Sequence, residues 1–544
     1  MPTKLWRFLP GLIALAPVLF LGLFFFYPVI NIVASSFTGG WSSISEVLSS
    51  TRAKSAIWFT FWQAALSTVV TLVLAMPCAA LMARSEGRRA LLFKALVTIP
   101  FVLPTGVVAG AFKEMFDRAE TLPWLPNLNN TATAVIIAHS FFNFAVVART
   151  VGAYWSALDR RLEEQARLLG SSRNQVFWRV TAPRLKPAIL ASGAIVFLFS
   201  FTSFGVILVL GGLGQATLET EIFRHAVVRG DMASSSILAT PQIVAVLVLI
   251  LVTARYERRA ATQTQMVRNA TIPLHKGATF GITLFTLSFL CAPLVVMVER
   301  SMRAGGSYGW TNYQAIFERI PLLPSTSARA LVNSVQYAAI ATLIAVILGL
   351  ICATAIASAG DATSRVLNIG ATLPLGVSAV TVGFGILITL DVSPIEWRTK
   401  WWIVPIAHAI VATPFVVRSL VPMLRQIHPS IREAAALLGA SPAKILLQVD
   451  FPLIRRGIAV ASGFAFAISL GEFGATSFLP RRTDTLTAPQ AIFRLLNAPG
   501  ELLRGQAMAL SVLLAVTVAV AIISSEMLFA KGRCRRDNKL PVAS

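Results

Sequence analysis

Uncharged apolar runs alternate with short charged clusters along the whole chain. About 20 apolar residues cross a bilayer, so each run reads as one helical crossing. Arg7 to Arg52 holds the first, with its apolar part at about Leu9 to Val33. That part is too long for a signal-peptide core and reads as a retained anchor. Lys54 to Arg84 holds the second, Lys94 to Lys113 the third, and Glu120 to Arg149 the fourth. The third is short and broken by Pro100 and Pro104. Pro187 to Leu218 and Asp231 to Arg255 complete six. After a polar, basic linker the plan repeats between Lys276 and Glu299, Arg329 and Asp361, Arg365 and Asp391, and Lys400 and Arg418. Gly457 to about Pro480 and Arg504 to Glu526 bring the total to twelve. The pattern predicts an all-α polytopic membrane protein.

Each half has a polar island after its fourth run. The first is Glu164-Gln165-Ala166, three residues, Gly170, nine residues, then Val180-Thr181-Ala182-Pro183. The second is Glu433-Ala434-Ala435, three residues, Gly439, nine residues, then Val449-Asp450-Phe451-Pro452. The offset is 269 residues from Glu164 to Glu433 and from Pro183 to Pro452. Each island reads as a helix, a sharp stop and a second helix. Gly170 and Gly439 supply the left-handed residue that ends the first arm. Ser430 with Glu433, and Ser172 with Gln175, have capping-box spacing. Asp159 and Ser441 are further N-caps, Pro442 suits a first turn, and Pro183 and Pro452 are expected to end the second helices. Each island is then a short L-shaped elbow on one side of the membrane.

This spacing resembles the EAA loop of ABC importer permeases, E-A-A-x3-G-x9-I-x-L-P. Gln165 stands for the first Ala, Val180 and Val449 for the Ile, and Ala182 and Phe451 for the Leu. The acid, glycine and proline are kept in both copies. The resemblance implies two tandem six-helix type I importer permease domains. It also implies that Glu164, Ala166, Gly170, Pro183, Glu433, Ala434, Ala435, Gly439 and Pro452 form coupling helices seated on two copies of a cytoplasmic ATP-binding subunit. An extracytoplasmic solute-binding protein would deliver the solute, and alternating access would move it.

Other landmarks repeat too. Ala138-His139 and Arg149 match Ala407-His408 and Arg418 at offset 269, and Phe204-Gly205 matches Phe473-Gly474. Gln63-Ala64-Ala65 matches Tyr337-Ala338-Ala339, and Pro100 matches Pro374, at offset 274. The chain is a tandem duplication in parallel orientation, since six crossings return it to its starting side. The domains expected are 1–255 (elbow at about 159–187), a linker at 256–276, 277–530 (elbow at about 428–456) and a basic tail at 531–544.

At 544 residues, 56% hydrophobic and 13% charged, the chain is too apolar for an ordinary soluble protein. Its formal net charge of +23 lies in scattered loop clusters and not in one patch, which argues against nucleic acid. Lys and Arg crowd the N-terminus, the loop at Arg84 to Lys94, the first island, the linker and the tail. All of these share one side in a twelve-span arrangement, so both termini and both islands are expected in the cytoplasm of a cell-membrane protein. The cysteines Cys78, Cys291, Cys352 and Cys534 form no C-x-x-C pair, and the three in apolar runs read as packing residues.

The chain carries no G-x4-G-K-[S/T], and Gly-Lys does not occur at all. It reads as a transport subunit and not an enzyme, with no cofactor or metal of its own and ATP on partner subunits. Polar residues inside the spans are the clues to a pathway. Glu472 interrupts an otherwise uncharged run, and Ser203, after Thr202, holds the matching place in the first half. Two readings stay open: a pathway acid for a cationic or metal-bearing solute, or an interfacial acid paired with Arg481 or Arg482. His139, His408 and Asn143 are pathway candidates or interhelical hydrogen-bond formers.

The segments around Phe201–Gly205 with Gly211-Gly212, and Ser469–Gly474, resemble the ferric-iron and thiamine permease group. Ala138–Asn143 resembles thiamine permeases in particular. Iron, thiamine, a phosphonate, a polyamine or another organic cation remain open. The rival classes are a twelve-span secondary transporter, which would not need paired islands, and a membrane enzyme, which would need a catalytic cluster.

Overall fold

The computed structural model describes residues 15–120, 126–159, 161–212, 214–262, 275–392, 395–397, 400–479 and 485–537. Among the described residues ten helices are long and apolar enough to cross a membrane, or up to twelve crossings if each of two bent pairs counts as one. The bent pairs are the third crossings of the two halves. Leu92–Phe101 meets Thr105–Glu120 at 92°, and Ala362–Gly376 meets Ala379–Leu390 at 95°. Prolines explain the bends. Pro104 lies in the first break, and Leu103 before it is extended, as a pre-proline residue prefers. Pro374 lies two residues before the end of its helix, and Ser378 caps the next by accepting from Thr381 N at 3.1 Å.

Helix extends into two stretches expected to lie beyond the crossings. The sixth helix runs to Thr262, into the linker, and the last runs to Asp537, into the basic tail. Linker residues 263–274 and tail residues 538–544 lie outside the described residues. Two short hairpins decorate the loops. Arg303 pairs with Tyr308 and Asp391 with Glu396, both antiparallel.

The packed units do not follow the sequence repeats. One unit comprises Met1–Thr38 with Ser301–Ser544, and the other Gly39–Arg300. Each half's first crossing is thus packed with the other half's remaining crossings, in the manner of an exchanged element. In the first unit Leu21 and Phe25 of the helix Leu15–Ser36 pack with Val382, Ile386, Ile403 and Ala475. Asn31 Nδ2 donates to Thr389 Oγ1 at 3.0 Å. A second cluster of small residues, Ala341, Ala345, Ala353, Ala412, Ala461 and Ala465, draws the neighbouring helices close. Small residues suit a bilayer, where close backbone approach replaces the hydrophobic effect.

In the second unit the seventh crossing, Lys276–Met302, is fastened at several points. Phe289 meets the rings of Phe141 and Phe144. Arg300 pairs with Glu114 at 3.3 Å, and Arg118 with Glu299. Cys78 is buried here as expected, whereas Cys291 is exposed and lies on the bundle's outer surface.

Candidate functional site

The first elbow begins with the helix Arg161–Leu168, whose opening turn is capped by Asp159 Oδ1 accepting from Arg161 N at 3.0 Å. Gly170 then adopts φ +86°. Ser171 N donates to Ala166 O at 3.0 Å and Gly170 N to Arg167 O at 2.9 Å. These are the two bonds of a Schellman stop. Ser172 and Gln175 form the expected capping box, and the second arm starts at Arg173.

The second elbow repeats this geometry. Its first arm is Pro429–Leu437, and Gly439 has φ +81°. Ala440 N donates to Ala435 O at 3.0 Å and Gly439 N to Ala436 O at 2.9 Å. Ala166 and Ala435 therefore supply the carbonyls that close the two stops. Ser441 accepts from Lys444 N at 3.4 Å, with Pro442 in the first turn. One expectation fails: Ser430 is not the cap. His428 holds that place, and its side chain accepts from Ser430 N.

Pro183 and Pro452 do not end the second helices. Each is the second residue of a helix that continues into the membrane, Ala182–Phe201 and Phe451–Leu470. The preceding turn is a π turn in both copies, Phe177–Thr181 and Leu446–Asp450. Proline donates no amide hydrogen, and its ring crowds the carbonyl four residues back. Those carbonyls belong to Arg179 and Gln448, inside the π turns. Widening that turn accommodates the proline without a break.

Glu164 and Glu433 are exposed and make no hydrogen bond or ion pair among the described residues. So are the leucines at each tip: Leu168 and Leu169 are 88% and 86% exposed, and Leu437 and Leu438 are 89% each. These leucines end polar first arms, so nothing in the elbow itself covers them. They were missed in the sequence, although a leucine pair beside a stop glycine in both polar islands was readable. At its base the first elbow sets Phe177 against Trp155, ring centroids 6.0 Å apart and tilted by 35°, with the Arg84 guanidinium 5.6 Å from the Trp155 ring.

A further pairing was also missed. Thr181 Oγ1 donates to Glu163 Oε1 at 2.7 Å. In the second elbow Arg432 Nε donates to Asp450 Oδ1 at 2.9 Å. Both pairs join the first arm to the last residue of the π turn.

The polar residues inside the spans form two separate clusters. In the first unit His408 Nδ1 lies 3.0 Å from Ser469 Oγ and Nε2 2.8 Å from Thr476 Oγ1. Thr476 Oγ1 also reaches Glu472 O at 3.4 Å, which links the histidine to the Glu472 backbone. The buried Glu472 carboxylate accepts from Ala475 N at 2.8 Å. Arg481 and Arg482, the alternative partners, lie outside the described residues. In the second unit His139 Nδ1 lies 3.3 Å from Ser67 Oγ, and Asn143 donates to His139 O and Ser200 Oγ. Ile207 stands at the position matching Thr476, and His139 Nε2 has no partner among the described residues. Thr202 bonds to its own helix through Leu198 O, and Ser203 follows it half-buried.

Two apolar six-crossing repeats, each interrupted by an exposed elbow, define a multi-pass transport permease. Residues 75–262 and 312–530 both match the family described as binding-protein-dependent transport system inner membrane component. The chain belongs to that family, as an ABC importer permease with two fused domains. Over 439 residues it is 28% identical to the thiamine transport system permease protein ThiP of Brucella suis, covering 76% of this chain and 77% of that one. Over 474 residues it is 26% identical to ThiP of Salmonella typhimurium, with 81% and 82% covered. A shorter match, 33% identity over 190 residues, is to the putative 2-aminoethylphosphonate transport system permease protein PhnV of S. typhimurium, covering 35% of this chain and 70% of that one.

Proposed function

We propose that this chain is the permease of a thiamine importer. The observation that carries the reading is similarity to ThiP proteins along more than three quarters of both chains, so that both halves are covered. The match to PhnV favours a phosphonate as the second reading. In the proposed mechanism two ATP-binding subunits each receive one elbow on the cytoplasmic side, where both termini also lie. The exposed leucines enter the grooves of those subunits, and Glu164 and Glu433 at the arms' outer surfaces meet basic groups beside them. ATP is bound by the partners and drives them together. The elbows move with them and shift the crossings that follow, Arg173–Phe201 and Ala443–Leu470, opening the path outward. Hydrolysis resets it, and a solute-binding protein supplies the load from outside.

The buried clusters around His139 with Asn143 and around His408 with Glu472 are the candidate pathway groups, and Thr202 and Ser203 are further candidates. Glu472 supports a cationic solute such as thiamine, because a buried acid held by backbone amides favours a positive neighbour. Uptake of labelled thiamine, labelled 2-aminoethylphosphonate and labelled ferric iron is measured in a strain lacking this chain and in the complemented strain. Restored thiamine uptake alone supports the reading. Restored phosphonate or iron uptake without thiamine uptake overturns it.

A further inference from the structure

The structure assigns to two residue pairs, Glu163 with Thr181 and Arg432 with Asp450, the role of clasps that make each elbow one rigid lever. This rests on the reading that the elbows receive the push of the ATP-binding subunits. The pairs occupy equivalent places. Glu163 and Arg432 lie 269 residues apart, as do Thr181 and Asp450. Within each elbow the partners are 18 residues apart in sequence. Each first partner stands on the tip-bearing arm, and each second closes the π turn that opens into the membrane helix.

The chemistry differs while the geometry is kept. One clasp is a hydroxyl donating to a carboxylate, the other a guanidinium donating to a carboxylate. The acid has changed arms between the copies. Thr181 is 3% and Asp450 7% exposed, so each bond is shielded from water at its inner end. Arg432 Nη2 also donates to Leu424 O at 3.3 Å, tying the clasp to the preceding crossing.

The need for a clasp follows from the local fold. The arms are joined in sequence by a Schellman turn around a glycine, and each second arm enters its membrane helix through a π turn, a local departure from the α ladder. A push on the tip would bend those two places before it moved the crossing. A bond from the first arm to the end of the π turn closes a triangle over both. Glu163, Thr181, Arg432 and Asp450 are thus positioning residues for transport.

The test uses the full chain with its ATP-binding subunits in lipid nanodiscs, the native cysteines replaced. Spin labels on Ala436→Cys and Gln448→Cys, both at exposed positions on opposite arms, report the arm-to-arm separation. The expected result is one narrow separation, unchanged by a non-hydrolysable ATP analogue. Arg432→Ala and Asp450→Ala broaden it and make it respond to the analogue, while the ATP-binding subunits stay bound. Arg432→Glu combined with Asp450→Thr installs the first elbow's pair in the second and restores the narrow separation. Labelled thiamine uptake per ATP hydrolysed falls several-fold in the single variants and recovers in the double one.

The proposal is overturned if the single variants keep the narrow, ATP-independent separation, or if the transplanted pair behaves no better than either single change. Loss of the ATP-binding subunits from the single variants also overturns it, because the pair would then serve docking. Failure of the docking reading shows separately, as full retention of those subunits when Leu168, Leu169, Leu437 and Leu438 are all changed to Asp.

Discussion

The tip leucines permit a test in which folding and docking are separable. Leu437 and Leu438 are each 89% exposed, so the free chain gains almost nothing from burying them. Leu437→Ala with Leu438→Ala should change the chain's own stability by no more than about 0.5 kcal/mol per site, as surface substitutions do. Seated in a groove, each leucine contributes about 1.5–3 kcal/mol relative to water, and truncation to alanine removes most of that. Removing about 2–4 kcal/mol from one tip weakens that contact roughly 30- to 700-fold. Making the same change at Leu168 and Leu169 removes the other contact.

The assay is co-purification of the ATP-binding subunits with tagged wild-type and doubly substituted chain, alongside thermal unfolding of each chain in detergent. Unfolding should be unchanged, and recovery of the ATP-binding subunits should collapse when both tips are altered. If both tips carry alanines and the subunits still co-purify in full, the leucines do not dock, and the coupling surface lies elsewhere on the elbows. If unfolding shifts by several degrees, the leucines support the fold and their exposure has been misjudged.

Three other outcomes follow from particular contacts. Gly439→Ala adds a Cβ into open space but forces alanine to φ +81°, at about 1–2 kcal/mol; hydrogen exchange at Ala440 N should quicken, and Gly439→Asn should restore most of the protection. Gly383→Ala would set a Cβ 2.6 Å from Ala475 O and 2.7 Å from its Cα, so the backbone must move at about 1–3 kcal/mol. Its melting temperature in detergent should drop, while Gly281→Ala, inside the helix Lys276–Met302 with nothing within 4 Å, does not lower it. His408→Leu should destabilise more than His139→Leu, because His408 uses both ring nitrogens and His139 one; interhelical bonds in bilayers are worth about 0.6–2 kcal/mol each, and equal melting temperatures would refute the ordering.

The elbows were legible because caps and stops are local chemistry. A glycine four residues past Ala166 or Ala435 needs no distant partner to end a helix. The prolines misled for a related reason: proline ordinarily stops a helix, and only the hydrogen-bond pattern reveals that a π turn has absorbed Pro183 and Pro452. The exchange of first crossings was not legible at all. Lipid tails are as apolar as leucine, so hydropathy marks a crossing without saying which neighbours it packs against. The partners of His139 and His408 come from helices tens of residues away, and the clasps from residues that no local rule connects.

What the two elbows retain is shape, while their side chains have drifted. Ala434 corresponds to Gln165 in the repeat, Leu447 to Trp178, and a cation–acid pair to an acid–hydroxyl pair. Against that drift, the stop glycines differ by only a few degrees, +86° and +81°, and the stops are closed by the same two bonds. The π turns begin and end at matching residues. The exposed leucines are kept in both identity and exposure. A surface that had to bind two unrelated partners would not need to keep the same stop so closely. A surface that presents the same leucine pair beside the same stop, twice, is what the proposed docking to two like subunits needs, and the proposed clasp can change its chemistry so long as it still closes.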